Sequence, residues 1–476
     1  MTRVVIIGSG PGGYEAALVA SQLGGEVALV DSDGVGGSAV LTDCVPSKTL
    51  IATAELMTTM DESAELGLRF GRAGHEMPAG PDAVDAHVSV DLAAVNRRVL
   101  ALAREQSADI ADRLLGEGVQ IVTGRGCLDG PDRVVVETSQ GSQTLEADVI
   151  LLATGAHPRV LPEAKPDGER ILTWTQVYGL TQLPERLIVV GSGVTGAEFA
   201  SGYDALGAEV VLVSSRDRVL PGEDADAAQV LEDVFARRGL TVMARSRAHR
   251  VERSGDQVVV HLENGDQVTG SHCLLAVGSA PNTDGIGLAE AGVRTDDRGF
   301  VTVDGVSRTS ARGVYGAGDC TGVLMLASVA AMQGRIAMWH SLGDSVSPLS
   351  LASVSSNIFT APEIATVGWT QKQVDSKQVR ALSIKLELRG NPRAKMQGIR
   401  DGFVKLFCLP TTGIVVGGVV VAPRASELIH PIALAVSGRL TVDQVAHAFT
   451  VYPSLSGSFA EAARRLHGHD PEQLTV

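Results

Sequence analysis

Two short runs carry the residues best suited to chemistry. Gly8-Ser9-Gly10-Pro11-Gly12-Gly13 and Gly191-Ser192-Gly193-Val194-Thr195-Gly196 share the spacing Gly-x-Gly-x-x-Gly, with equivalent glycines 183 residues apart. In such a run the first glycine permits a tight turn, and the second lets a pyrophosphate approach the backbone. The third allows a helix to pack closely on a strand, and that helix N-terminus offers N–H donors and partial positive charge. The residue expected about 20 positions on differs between the copies. Asp31 stands 18 residues after Gly13, where a carboxylate accepts hydrogen bonds from a ribose; a simple turn residue is the alternative. The same offset from Gly196 reaches Ser214, followed by Ser215, Arg216, Asp217 and Arg218. Without a carboxylate there a 2′-phosphate is not repelled, and hydroxyls with a guanidinium bind it by charge-assisted hydrogen bonds. The second run therefore suits NADPH better than NADH, although Arg216 and Arg218 also fit solvated surface charges.

Both runs need a strand before them and a helix after. RVVIIGSGPGGYEAA near the start recurs as RLIVVGSGVTGAEFA from Arg186, and each copy leads into a second apolar run, Glu26 to Val30 and Glu209 to Val213. That is a β-α-β unit twice over. Gly71 to Asp85, rich in Gly, Pro and charge, reads as a surface excursion, and Val88 to Leu115 has helical periodicity. Hairpin segments are expected near Val134–Val136 and Val258–His261, the latter turning on Glu263-Asn264-Gly265-Asp266. Asp344 to Pro348 reads as a linker. Beyond it come strands over Gly402 to Phe407 and Ile414 to Val421, then helical segments from Glu427 and Thr441. Two nucleotide-type halves followed by an α+β domain are the predicted organisation.

Composition agrees with that organisation and excludes other classes. The chain has 476 residues, 44% hydrophobic and 20% charged, which is ample for real cores. A net charge of −15 argues against nucleic acid and against a polybasic membrane anchor. The longest uncharged apolar stretch, near Gly413 to Ala422, is about half a membrane span, so no membrane insertion is expected. The start, Val4-Val5-Ile6-Ile7, lacks a basic n-region, and the chain reads as cytoplasmic. Cys44, Cys127, Cys273, Cys320 and Cys408 have no metal-ligand spacing, so neither zinc nor a disulfide framework is expected.

Two dinucleotide sites in one chain have a ready explanation: one bound flavin dinucleotide and one exchanging nicotinamide nucleotide, with hydride passing between them. The segment from Gly36-Gly37-Ser38-Ala39 through Cys44-Val45-Pro46-Ser47-Lys48 resembles the redox-active helix of the FAD-dependent pyridine nucleotide–disulfide oxidoreductases. Further matches are Ala153-Thr154-Gly155, Ala276-Val277-Gly278 with Pro281-Asn282, and Val314-Tyr315-Gly316-Ala317-Gly318-Asp319. Phe359-Thr360-x-Pro362-Glu363-Ile364-Ala365 resembles the opening of that family's dimerisation domain. The resemblance implies an α/β fold with two Rossmann-like domains and a C-terminal α+β dimerisation domain. Residues 1–155 and 276–345 would bind FAD, 156–275 would bind NAD(P)H, and 346–476 would form a homodimer. It also adds Gly37, Ser38, Gly126, Thr154, Gly155, Gly278, Asp319 and Ala327 to the cofactor-binding candidates, Asp319 as a partner of the flavin ribityl chain. Lys48 would lie near flavin N5 and pair with Glu198; an ordinary surface ion pair is the other reading.

The departures from the family pattern bear on the reaction. Family disulfide reductases carry Cys-x-x-x-x-Cys in this helix, whereas here Ala39 precedes the single Cys44. No intramolecular redox disulfide can form without its second thiol. The family's His-Pro-Thr-x-x-Glu, an acid–base pair contributed across the dimer, is matched by Tyr452-Pro453-Ser454-Leu455-Ser456-Gly457. Tyrosine does not titrate near neutrality, and Gly457 removes the orienting carboxylate. The expected activity is an FAD-dependent NAD(P)H dehydrogenase that reduces a small acceptor such as a quinone without a dithiol relay. A pyridine nucleotide transhydrogenase and a single-cysteine peroxide or mixed-disulfide reductase remain the alternatives. Cys44 is either a buried apolar thiol or a thiolate near a helix N-terminus. Tyr452 would stack on a flat acceptor or simply fill space.

Overall fold

The computed structural model describes residues 1–63, 66–67 and 89–467. The Gly71 to Asp85 excursion lies outside the described residues, as does Val88.

The apolar runs of the two β-α-β units are buried on both faces, which is why they are continuous and β-branched instead of alternating. Arg3–Ile7 lies at the centre of a five-stranded parallel sheet. Glu26–Asp31 and Gln120–Thr123 extend it on one side, and Val149–Leu152 and Val314–Gly316 on the other. The helix Pro11–Gln22 covers one face and packs on the helix Ala327–Ser341, where Gly12 and Gly334 allow close approach: a Cβ at Gly334 would lie 2.1 Å from the Gly12 carbonyl oxygen. An antiparallel sheet of Arg125–Leu128, Arg133–Thr138 and Gly141–Glu146 covers the other face.

The second unit repeats this plan. Arg186–Val190 pairs in parallel with Glu209–Val213 and His272–Leu275, with Thr241–Met243 and Ile171–Thr173 outermost. Its covering sheet contains the predicted hairpin, Gln257–Leu262 with Gln267–Gly270, which turns through Gly265 at φ 90°. The two units join at a short antiparallel pair, Ala156–Pro158 with Ser279–Pro281, so the chain enters and leaves the second unit side by side.

After the Asp344–Pro348 connection, a five-stranded antiparallel sheet runs in the order Ser355–Ile358, Glu363–Gly368, Val415–Ala422, Phe403–Cys408 and Leu382–Glu387. Helices His430–Ser437 and Gly457–Leu466 pack against it, and Thr441 closes a capping box on the helix Val442–His447. The fold is the α/β architecture with an α+β C-terminal part that the sequence predicts. No helix among the described residues is long and apolar enough to cross a membrane.

A buried ion pair fastens the third part to the second. Lys405, in the middle of a strand, reaches Asp224 at 2.7 Å and Asp226 at 2.7 Å. Asp224 also caps the helix Ala225–Arg238 by accepting from the Asp226 and Ala227 amides. Lys405→Met would leave Asp224 buried without its cation, the costly half of breaking such a pair. We expect a loss of roughly 2–3 kcal/mol, below the usual range because Asp226 is partly solvated. Chemical denaturation of the flavin-loaded protein checks this.

Candidate active site

The two glycine runs have matching stereochemistry. A Cβ at Gly8 would lie 2.2 Å from the Ala153 carbonyl oxygen, and one at Gly191 would lie 2.2 Å from that of Ala276. Both residues have φ above 100°, so side chains are excluded on two counts. At Gly13 a Cβ would sit 1.9 Å from the Gly8 carbonyl oxygen, and at Gly196 1.8 Å from that of Gly191. The middle glycines, Gly10 and Gly193, face open space with nothing within 4 Å. A turn closed on both sides and open at the helix N-terminus is a cradle for a pyrophosphate.

Beside the first cradle lies a cavity of about 330 Å3, lined in part by Asp31, Arg125, Gly126, Thr154, His157 and Asn282. Asp31 at its edge accepts from Ser9 N at 2.7 Å, Ser9 Oγ at 2.6 Å, Asp33 N at 2.8 Å and Gly34 N at 3.0 Å. Its carboxylate thus shapes the loop beside the place expected for a ribose. His157 and Asn282 are joined at 2.6 Å, and Asn282 donates to the Thr154 carbonyl at 2.8 Å. Sequence reasoning missed His157 and Arg125, which belong to no glycine motif. Thr154 Oγ1 is buried beside the Cys320 thiol.

Gly37, exposed Ser38 and half-buried Ala39 lie on the short helix Gly37–Leu41, with Gly37 packed so tightly on Gly10 that a Cβ would come within 2.8 Å of its Cα. The next helix begins at Cys44 and carries Lys48. Lys48 Nζ donates to Glu198 Oε2 at 2.9 Å, and Phe359 N donates to Glu198 Oε1 at 2.9 Å. The same ammonium stands 5.0 Å from the centre of the Phe359 ring. Three parts of the chain therefore meet at one buried carboxylate. Burial, the largest single effect, would lower the Lys48 pKa, but Glu198 and the other acidic groups around it together raise it, so the lysine stays charged.

The acids and thiol nearby respond to burial in the opposite sense. Burial raises Asp43, against the pull of Lys48. Burial and then Asp43 raise Asp319 to about 6. Burial, followed by the Asp43 charge, pushes the Cys44 thiol up to about 12. Both effects work against a thiolate at Cys44. All five cysteines are free. Among the described residues, no cluster of acidic, His and Cys side chains is placed to hold a metal ion.

Gly155 and Gly278 are open glycines at φ 69° and 94° beside the junction of the two units. Ala327 starts the helix that packs on the first glycine helix. Tyr452 stands apart, 82% exposed beside the fully exposed Phe449 and Val451 at 78%. No contact joins it to Lys48, Glu198 or Cys44 among the described residues.

Ser214 departs from the role expected of it. It is fully buried, its hydroxyl lies 2.6 Å from Ser192 Oγ, and it accepts from Arg216 N at 3.0 Å. Ser215, Arg216 and Asp217 face solvent here.

Comparison with known proteins places this geometry in a family. Residues 2–334 match the pyridine nucleotide-disulphide oxidoreductase model, and 354–463 match the dimerisation domain of the same family. The chain belongs to the pyridine nucleotide-disulphide oxidoreductases. Members of this family use FAD and NAD(P)H, and the two cradles and the cavity fit an FAD and a nicotinamide nucleotide. A Mycobacterium tuberculosis protein described as NAD(P)H dehydrogenase (quinone) is 53% identical over 100% of this chain and 96% of its own length. A dihydrolipoyl dehydrogenase of Chlamydia trachomatis is 32% identical over 96% of this chain and 95% of its own. The crystal structure of LpdA from Mycobacterium tuberculosis superposes with a TM-score of 0.91 at 52% identity, covering 98% of this chain and 100% of that one. The flavoprotein disulfide reductase RclA from Escherichia coli shares the fold, with a TM-score of 0.83 at 22% identity over 97% and 99% of the two chains.

Proposed function

We propose that this oxidoreductase is an FAD-dependent NAD(P)H dehydrogenase that reduces a small acceptor of the quinone class in the cytoplasm, as a homodimer. The observation that carries the reading is an intact nucleotide and lysine apparatus beside a thiol that lacks its partner. Lys48, Glu198 and Phe359 are assembled. Position 39, where a disulfide reductase has its first cysteine, is alanine. The 53% identity to a quinone-reducing dehydrogenase supports the choice of acceptor.

FAD, when bound, supplies the two-electron relay between nicotinamide and acceptor. The chain's own residues bind and orient. Gly8, Gly10 and Gly13 form the pyrophosphate turn, with Gly37 packed against Gly10. Thr154 lines the same cavity, and Gly126, Asp31 and Arg125 line the adenosine side. Gly191, Gly193 and Gly196 repeat the turn for the nicotinamide nucleotide. Lys48, held charged and aimed by Glu198, would set a fixed positive charge beside the bound cofactor. Residues 1–155 with 276–345 would hold FAD and 156–275 the nucleotide, while 346–476 would pair two copies, covering Phe449, Val451 and Tyr452.

The decisive test mixes the anaerobic flavin-loaded enzyme with NADPH and follows reoxidation by quinones, NAD, peroxide and small disulfides. Bleaching and rapid reoxidation by quinones are expected; rapid turnover of disulfides or peroxide instead would sink the proposal. Cys44→Ser should leave quinone reduction within about twofold, because a thiol with a pKa near 12 supplies almost no thiolate at neutral pH. Slow alkylation of Cys44 by iodoacetamide at pH 8 is the independent check.

A further inference from the structure

The two nucleotide-binding units differ at a point that the glycine motifs do not report. In the first unit Val30 lies opposite Val122, and two residues later Gly124 N donates to the Asp31 carbonyl at 2.9 Å. Arg125 and Gly126 then turn into the adenosine cavity. In the second unit Val213 lies opposite Met243, and the matching contact is made by Ser246 N on the Ser214 carbonyl at 2.7 Å. That contact comes three residues after Met243, not two, so one residue is inserted. The inserted residue is Arg245.

Its conformation shows how the extra residue is accommodated. Arg245 adopts φ 53°, an uncommon left-handed backbone for a side chain of its size. It is held there by its own N–H donating to the Arg216 carbonyl at 2.7 Å. Arg216 is in turn fixed by its N–H on the buried Ser214 hydroxyl at 3.0 Å. Ser214 is thus a staple for two arginine-bearing loops at the carboxyl ends of adjacent parallel strands, the edge at which open α/β sheets bind nucleotides. Arg216 and Arg245 are both exposed, and neither guanidinium has a side-chain partner among the described residues. Arg247 nearby leans toward Glu263 at 3.8 Å, and Asp217 is the exposed acid of the loop.

We propose that Arg245, together with Arg216, seats the 2′-phosphate of the nicotinamide nucleotide, and that this one-residue insertion tunes the second unit to NADPH. The inference rests on the reading that the second unit takes the nicotinamide nucleotide. Ser214 acts only through Arg216 and is a positioning residue. Two guanidinium groups converging on a dianion supply several charge-assisted hydrogen bonds that an unphosphorylated ribose cannot accept.

Isothermal titration of the flavin-loaded protein with 2′,5′-ADP and with 5′-ADP, at one fixed ionic strength, tests this without turnover. The wild type should prefer 2′,5′-ADP by roughly tenfold or more. Arg245→Gly takes the left-handed φ without strain and should erase most of that preference. Arg245→Lys should retain part of it, and Arg247→Ala all of it. If Arg245→Gly weakens both ligands by one factor, or neither, the assignment is wrong. A wild type that binds both equally also overturns it and leaves the nucleotide-site reading standing. Binding of neither ligand overturns that reading as well.

Discussion

Glu198→Ala should cut the NADPH-dependent reduction rate by about 100-fold and destabilise the protein by roughly 3 kcal/mol. The carboxylate is 3% exposed and satisfies two donors from different parts of the chain, the Lys48 ammonium and the Phe359 amide. Truncation leaves both donors unpaired in a site from which water is largely excluded, and unpaired buried charge is the expensive case. The stability loss falls at the low end of the usual range because the Lys48 side chain keeps 29% of its exposure. Glu198→Gln separates the two effects. The single carbonyl oxygen of the amide can still accept from one of the two donors, while its NH2 faces the other, so only part of the stability should return. The countercharge does not return, so the rate should stay low and the flavin midpoint potential should move. Equal recovery of rate and stability in Glu198→Gln would show that the carboxylate only braces the fold. Stopped-flow bleaching by NADPH and denaturant titration are the paired measurements.

Gly13→Ala should yield protein without bound flavin. Its Cβ would meet the Gly8 carbonyl oxygen at 1.9 Å and the Gly8 carbonyl carbon at 2.9 Å, and backbone atoms cannot rotate aside. The helix must lift from the strand, which opens the pyrophosphate turn and costs at least about 1–3 kcal/mol of overpacking. Gly10→Ala is the instructive companion, since its Cβ enters space with nothing within 4 Å. That variant should fold with wild-type apoprotein stability yet bind FAD weakly, because the methyl group fills the volume left for the pyrophosphate. Gly196→Ala, with the same clash in the second unit, should keep its flavin and lose NADPH binding. Absorbance at the flavin band after gel filtration, with apoprotein melting curves, distinguishes the three. Retention of flavin by Gly13→Ala would contradict the geometry.

The nucleotide halves were legible in the sequence because their constraints are local. A glycine run between a β-branched stretch and a small-residue helix specifies turn, strand and helix within about 15 residues, and the chain does this twice. The hairpin at Gly265 and the helix start near Thr441 were legible for the same reason, as turn and helix-start signals lie within a few residues. The likeness of the Gly36–Lys48 segment to a redox helix, and the alanine at position 39, needed no coordinates.

Tertiary structure decided what depends on burial and on residues distant in sequence. Ser214 looked like a ligand because serine is polar, yet its register at a strand end turns it inward against Ser192. Phe359 and Glu198 are 161 residues apart, and no spacing rule links them. The state of Cys44 was undecided from sequence because a helix N-terminus lowers a thiol pKa whereas burial and neighbouring acids raise it. Burial, followed by the Asp43 charge, pushes the thiol up, and neither is visible before the chain has packed. Arg245 could be identified only by counting residues against strand pairing. The sequence by itself determined which chemistry is available, two dinucleotide cradles and one unpaired thiol, because backbone turns and missing atoms are local facts. Which side chains carry charge or face a ligand follows from desolvation and register, and those exist only once distant segments have packed.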